Sequence, residues 1–302
     1  MGDIVVRRCA LILVLLALGA CGPVPTEEEP EPEAVSAKVP ASFKRTESGG
    51  VRDTGDFVVR YEKAENEDYQ ELEAIFKETR LLEDTVQELN NVFALPSQVP
   101  VVFKECGDVN AFYEPETQEI SLCWELVEYY AGMFLSEEQT EEEATEGGEA
   151  VAGATLFTFF HELGHALIDL YDLPITGREE DAVDQLATMI LLEGGEEGEM
   201  AALNGAWSFL TEEEEDIAGE EEYSTEEDVE AEEEELAFWD EHSLDEQRFY
   251  NIVCWSYGKN QEGFQYLVDD ETLPEGRAER CPAEYDRMSR SWDALLDPYV
   301  KE

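Results

Sequence analysis

The sequence predicts an α+β fold in which a small mixed or antiparallel sheet is followed by a larger helical part. Three short runs in the first half have the composition of strands, at 56–61, 100–106 and 118–124. A helical period with one apolar stripe covers residues 67–92, and helical segments dominate the second half. The predicted domain, residues 53–302, is long enough to bury one full core as a single unit.

The first 20 residues have the pattern of an export signal. Two arginines precede an apolar run at 9–20, which is too short to span a membrane. Residues 18–21, Leu-Gly-Ala-Cys, match a lipobox and predict a lipoprotein signal peptide at 1–20 with lipidation of Cys21; an ordinary secretory signal is the alternative. Because Gly22 rather than aspartate follows the cysteine, we expect a bacterial outer-membrane lipoprotein that faces the periplasm or the cell surface.

The composition is strongly acidic, with 75 aspartates and glutamates against 19 lysines and arginines and a net charge of −56. We therefore expect no nucleic-acid partner. Residues 21–52 are rich in proline and glutamate and predict a disordered tether. Two acidic tracts, at 137–149 and 212–235, are interpreted as solvated, poorly ordered insertions. Adaptation to high salt and weak divalent-cation binding are alternative roles for these tracts.

Four cysteines remain in the predicted domain once Cys9 and Cys21 are set aside. An even number in an oxidising compartment predicts two disulfides, and three pairings are possible. The pairs closest in sequence are Cys106–Cys123 and Cys254–Cys281, and these are the pairings we expect. A metal site built from these thiolates is disfavoured because no CxxC spacing is present.

The strongest functional signal is the pentapeptide at 161–165, His-Glu-Leu-Gly-His, which has the HExxH pattern. It lies in an apolar segment, residues 150–172, that predicts a buried helix. On a helix, His161 and His165 are one turn apart, so both imidazoles can reach one Zn²⁺. Glu162 can then take a proton from a water that the metal activates. Two core histidines that bond to neighbouring groups are the alternative interpretation.

A catalytic zinc site needs a third protein ligand. Ile168 and Tyr171 stand where a third-histidine pattern would place glycine and histidine, so that pattern is excluded. A helix predicted to follow offers Glu180 and Asp184, which share a face at i,i+4 spacing. We expect Glu180 to bind the metal and Asp184 to accept the second N–H of a ligating histidine. Glu179 remains an alternative to Glu180.

The stretch HELGHALIDLYDLPITGREEDAVDQLATMILL resembles a bacterial family of zinc metallopeptidases catalogued as a domain of unknown function. Its HExxH…ExxxD pattern is that of gluzincin-type peptidases, so the resemblance implies a zincin-like fold and a hydrolase. Further segments that resemble the family extend the match over most of residues 55–300; they are 105–107, 110–113, 120–123 and 241–248.

The sequence also predicts a strand that holds the substrate and one further histidine in the site. In zincins an edge strand before the metal helix commonly holds the peptide substrate, and residues 119–123 are our candidate; an ordinary core strand is the alternative. Residues 243–246, Ser-Leu-Asp-Glu, predict a capping box, which places His242 just outside a helix N-terminus. His242 is a candidate for stabilising an oxyanion beside the zinc, and a surface or capping histidine is the alternative.

These observations predict an exported, lipid-anchored zinc metallopeptidase that acts on a peptide or protein substrate. A lipoprotein with a scaffold or interaction role, whose zinc is structural, is the second hypothesis. A zinc hydrolase of a non-peptide amide, such as a cell-wall bond, is the third. Four protein ligands on the metal would favour the second hypothesis, and three would favour catalysis.

Overall fold

A computed structural model describes residues 51–136, 139–210 and 241–301. The predicted signal peptide, Cys21, most of the tether and the tract at 212–235 lie outside these residues. In chain order the described elements are β1 (Phe57–Tyr61), α1 (Glu67–Thr79), α2 (Leu81–Val92), β2 (Val99–Lys104), β3 (Ala111–Glu114), β4 (Glu119–Cys123), α3 (Trp124–Phe134), α4 (Glu141–Tyr171), α5 (Glu179–Leu192), α6 (Glu196–Trp207), α7 (Asp245–Lys259), α8 (Tyr266–Asp269), α9 (Glu275–Ala278), α10 (Cys281–Leu296) and a final 3₁₀ turn (Asp297–Tyr299).

The sheet has four strands in the order β1-β2-β4-β3, and it is mixed. β1, β2 and β4 run parallel, whereas β3 pairs antiparallel with β4. The α+β prediction is confirmed, but the expected edge strand at 119–123 is wrong. That segment forms β4, which lies between β2 and β3, because the short strand β3 was not predicted and occupies the edge.

The helical period at 67–92 is interrupted, so the prediction of one long helix there is wrong. Arg80 has a left-handed backbone (φ 56°) and ends α1, and α2 begins at the next residue. The backbone N–H of Arg80 still donates to the carbonyl of Phe76 at 3.0 Å. The apolar stripe therefore continues across the break, because both helices pack on the same core.

α4 is the central helix of the domain, and it begins earlier than predicted. Thr140 accepts the N–H of Glu143 at 3.2 Å, and the Glu143 carboxylate accepts the N–H of Thr140 at 2.7 Å. This capping box, with acidic residues in the first turn, gives residues 141–149 a stable helical start. The prediction of a poorly ordered insertion is therefore wrong for these residues. By length and composition α4 could cross a membrane, but 83% of its apolar window is buried inside the protein.

α5 packs against α4 at very short range. A Cβ at Gly164, inside the HExxH pentapeptide, would lie 2.7 Å from Cβ of Val183 on α5, closer than real contacts allow. Only glycine permits this approach without displacement of α5. The same approach brings the first turns of α5 over the two motif histidines.

Both predicted disulfides are present, with Cα–Cα distances of 5.5 Å for Cys106–Cys123 and 5.1 Å for Cys254–Cys281. The first joins the end of β4 to the loop after β2, and the second joins α7 to α10. The predicted capping box at 243–246 is wrong: no side chain caps α7, and the Ser243 hydroxyl instead donates to Asp181 on α5 at 2.6 Å.

Candidate metal centre

His161 and His165 lie one turn apart on α4 and face the same cleft. Their ring centroids are 5.1 Å apart. His161 is buried, and His165 is mostly buried. The helical spacing of the motif therefore produces the pair that the sequence predicted.

Glu180, at the start of α5, contacts both of these imidazoles. Its Oε2 atom lies 3.1 Å from Nε2 of His161, and its Oε1 atom lies 3.3 Å from Nε2 of His165. The structure thus places Glu180 rather than Glu179 against the two Nε2 atoms.

The Nδ1 atom of each histidine is held by a different carboxylate. Nδ1 of His161 lies 2.7 Å from Oδ1 of Asp184, and Nδ1 of His165 lies 2.8 Å from Oε1 of Glu179. A carboxylate accepts only when Nδ1 carries the proton, which leaves the Nε2 lone pair of a neutral imidazole available to a metal. Asp184 has the predicted supporting position, and Glu179 has a matching position on the other histidine.

Arg248 is a site residue to which sequence reasoning assigned no role. From α7 it donates through Nε to Oδ2 and through Nη2 to Oδ1 of Asp184, both at 2.8 Å. Its guanidinium also lies 3.9 Å from the ring centroid of Phe209. Burial alone would raise the pKa of Asp184, but the ion pair with Arg248 outweighs burial and lowers this pKa to about 2. Arg248 lies within the segment 241–248 that resembles the family, but nothing in the sequence indicates that it contacts the residues around the HExxH motif.

His242 is brought to the same centre from the segment before α7. Its Nε2 atom lies 3.2 Å from Oε2 of Glu180. Arg178 donates to the backbone carbonyl of His242 at 2.8 Å, and the bond from Ser243 to Asp181 anchors the next residue. The potential ligand atoms of His161, Glu180 and His242 all lie within 4.8 Å of one another.

Glu162 lines the same cleft as the two histidines, and it is buried. The edge strand β3, through Tyr113, lines the cleft beside it. Burial raises the pKa of Glu162, although the neighbouring imidazoles and the N–H of Tyr113 oppose this shift. A carboxyl group with a raised pKa beside a candidate metal position suits a general base.

The contact geometry fits a metal better than a set of hydrogen bonds. Oε2 of Glu180 is buried and lies close to two imidazole nitrogens, yet it has no partner with hydrogen-bond geometry. Nitrogen and oxygen atoms that converge without aiming at one another are typical of ligands around an ion. Burial is outweighed by the adjacent groups of opposite charge, so the pKa of Glu180 lies far below its usual range and that of His165 rises to about 9. The donor set, imidazole nitrogen with carboxylate oxygen, is one that Zn²⁺ prefers.

The cleft over this centre has a volume of about 590 Å³. β3 forms one wall, with Tyr113 donating from its hydroxyl to Asp169 on α4 at 2.8 Å. Further carboxylates, those of Asp172, Glu179 and Glu241, also line the cleft. Among the described residues that line it there is no lysine or arginine, although Arg178 lines the pocket that adjoins it. The cleft is therefore strongly negative apart from its histidines.

A family model described as "Putative metallopeptidase" matches residues 61–296, which include every element from the end of β1 to α10. No curated protein and no solved structure gives a significant match. The match spans the HExxH helix, the carboxylates of α5 and the segment that carries His242. The chain belongs to this family of metallopeptidases.

Proposed function

We propose that the protein is a zinc metallopeptidase that hydrolyses peptide bonds in the cleft between β3 and α4. The observation that carries this proposal is the convergence of His161, His165 and Glu180, with Glu162 buried beside them. These three residues would hold Zn²⁺, which supplies a Lewis acid for a carbonyl oxygen and makes water a nucleophile at neutral pH.

The remaining residues have roles that follow from their contacts. Glu162 accepts a proton from the attacking water and passes it to the leaving amine. Asp184 and Glu179 keep the protons of the two histidines on Nδ1, so that Nε2 faces the metal.

The edge strand β3 offers a docking site for an extended peptide. Within the described part of the chain it pairs with β4 on one side only, and its residues 111–113, with Asn110 just before them, line the cleft. A substrate strand added beside β3 would pass over Glu162, since Tyr113 and Glu162 line the same cleft. The negative lining favours peptides that carry lysine or arginine over acidic ones.

We further propose that the protein is exported and anchored to the bacterial outer membrane through a lipid on Cys21. The lipobox at 18–21 supports this proposal. Metabolic labelling with a palmitate analogue tests it: the wild-type protein should take up label in the membrane fraction, and Cys21→Ser should not. Label on the Cys21→Ser protein would contradict the proposal.

The central experiment compares digestion of a peptide library by the wild-type protein and by Glu162→Gln. The variant should retain zinc, because Glu162 is not among the three proposed ligands, and should lose cleavage by at least ~10²-fold. Glu146→Gln is the matched control, since it removes an exposed glutamate from the same helix. Equal cleavage by wild type and Glu162→Gln would show that this mechanism is wrong.

One observation favours the alternative of a non-catalytic zinc-binding lipoprotein. His242 lies as close to Glu180 as the two motif histidines do, so the protein could surround a zinc ion with four ligands. A closed site of that kind is typical of structural zinc. Zinc bound with no cleavage of any library member would favour this alternative.

A further inference from the structure

We propose that His242 is a fourth protein ligand of the resting metal centre, and that it is the ligand that water or substrate displaces. This inference rests on the proposed metal site and replaces the expected role of His242 as an oxyanion stabiliser. It also accounts for a catalytic centre that has four candidate ligands rather than three.

The distances support a ligand role. Neighbouring ligand atoms of a tetrahedral zinc site are about 3.3 Å apart when each lies about 2.0 Å from the metal. The three contacts between a histidine Nε2 and a Glu180 oxygen measure 3.1, 3.3 and 3.2 Å for His161, His165 and His242. His161 and His242 contact the same oxygen of Glu180, Oε2, whereas His165 contacts Oε1, so His242 has the same relation to Glu180 as His161. An oxyanion stabiliser needs room for the substrate oxygen between itself and the metal ligands, and this spacing leaves none.

The segment that carries His242 is positioned by α5. Arg178, just before α5, bonds to residue 242, and Asp181 in its first turn bonds to residue 243, so the two contacts lie on either side of Glu180 in the sequence. Arg248, one turn into α7, bonds to Asp184 of the same helix. The helix that supplies the carboxylate ligand therefore also fixes the approach of His242.

His242 differs from the other candidate ligands in a way that makes it exchangeable. Its side chain is 43% exposed, against 8%, 16% and 14% for His161, His165 and Glu180. The other three lie on helices, whereas His242 precedes α7. Removing it from the metal position costs the least burial, and its side chain is already open to the cleft.

The test is a count of imidazole ligands by X-ray absorption spectroscopy on the purified zinc-loaded protein. We expect three imidazoles in the wild type, two in His242→Ala and three in Glu241→Gln, a control from the same segment and cleft. Zinc affinity should fall in His242→Ala by more than the ~10–100-fold that loss of a supporting hydrogen bond costs. Two imidazoles in the wild type, unchanged in His242→Ala, would overturn the proposal.

A second variant gives a positive signal that does not depend on loss. His242→Cys loaded with Co²⁺ should show a thiolate-to-metal charge-transfer band, and its absence in a folded, Co²⁺-loaded variant would count against ligation. Displacement is tested by adding acetohydroxamate to the wild type, which should lower the imidazole count from three to two. A count that stays at three with the hydroxamate bound would refute displacement. None of these readouts requires turnover, so the proposed peptidase activity can fail while this inference stands.

Discussion

Asp184→Asn should destabilise the protein strongly, because the Asp184 carboxylate accepts two hydrogen bonds from the buried guanidinium of Arg248. Its side chain is 3% exposed, and it accepts two bonds from Arg248 at 2.8 Å and one from His161 at 2.7 Å. The Arg248 side chain is only 11% exposed. Loss of the carboxylate charge would leave a buried guanidinium without its counter-ion.

Breaking one partner of a buried ion pair costs about 3–5 kcal/mol, which corresponds to a fall in Tm of about 6–20 °C for a domain of this size. Arg248→Met should cost a similar amount, because it leaves the buried carboxylate of Asp184 without its positively charged partner. The double variant Asp184→Asn/Arg248→Met removes both charges and should therefore cost less than the sum of the two single losses. The coupling between the two sites should be about 1–3 kcal/mol, as found for residues in one network.

The assay is urea denaturation in the presence of a chelator, so that zinc binding does not contribute to stability. Glu179→Gln is the matched control: it also removes a carboxylate from a histidine Nδ1, but its side chain is 49% exposed, and it should cost less than about 1 kcal/mol. In a separate titration, Asp184→Asn should weaken zinc binding by about 10–100-fold. If Asp184→Asn and Glu179→Gln lose equal stability, the reasoning from the buried pair is wrong.

Three further outcomes follow from the fold. Gly164→Ala should lower zinc affinity as well as Tm, because the new methyl group would push Val183 and α5 away from α4; unchanged zinc binding would contradict this. Loss of the Cys254–Cys281 bond, tested as the double serine variant, should cost about 3.5 kcal/mol for a separation of 27 residues, measured by urea denaturation against the wild type with both disulfides intact. Tm should rise with NaCl from 0.05 to about 1 M, since screening weakens the self-repulsion of a chain with net charge −56; a flat or falling Tm would contradict this.

The motif helix and the positions of the candidate ligands on it and on α5 were predictable because each rests on local spacing. His161 and His165 at i,i+4, and Glu180 and Asp184 at i,i+4, each define one face of a helix whatever surrounds it. The close packing of α4 against α5 was visible only in the structure, although Gly164 is the residue in the sequence that permits it. The disulfides were predictable for the same reason, since both join cysteines that are near in sequence.

The wrong predictions relied on local sequence patterns, which do not show contacts between elements that are far apart in the chain. Ser243 fits a capping box in sequence, but its hydroxyl bonds to Asp181 on another helix, which competes with capping. The glutamates at 141–149 were interpreted as solvated, although Thr140 and Glu143 complete a real capping box there. Arg248 could not be assigned from sequence, because it contacts Asp184 across 64 positions of the chain.

Glu162 separates an enzyme from a structural zinc protein more clearly than the ligands do. A structural site needs the histidines, Glu180 and their supporting carboxylates, but it does not need a carboxyl group that is buried beside the metal position. Because burial raises the pKa of Glu162 above its usual range, the ionised form costs stability at neutral pH. This cost begins to fall as the pH drops through the raised value, and it is gone below the ordinary pKa of a glutamate. Glu162→Gln should therefore unfold at the same or a higher urea concentration than the wild type at pH 7, while it abolishes cleavage. A residue that lowers stability and is retained for activity is the pattern expected of a catalytic group. If Glu162→Gln instead loses as much stability as Asp184→Asn, Glu162 supports the fold, and its burial no longer favours catalysis.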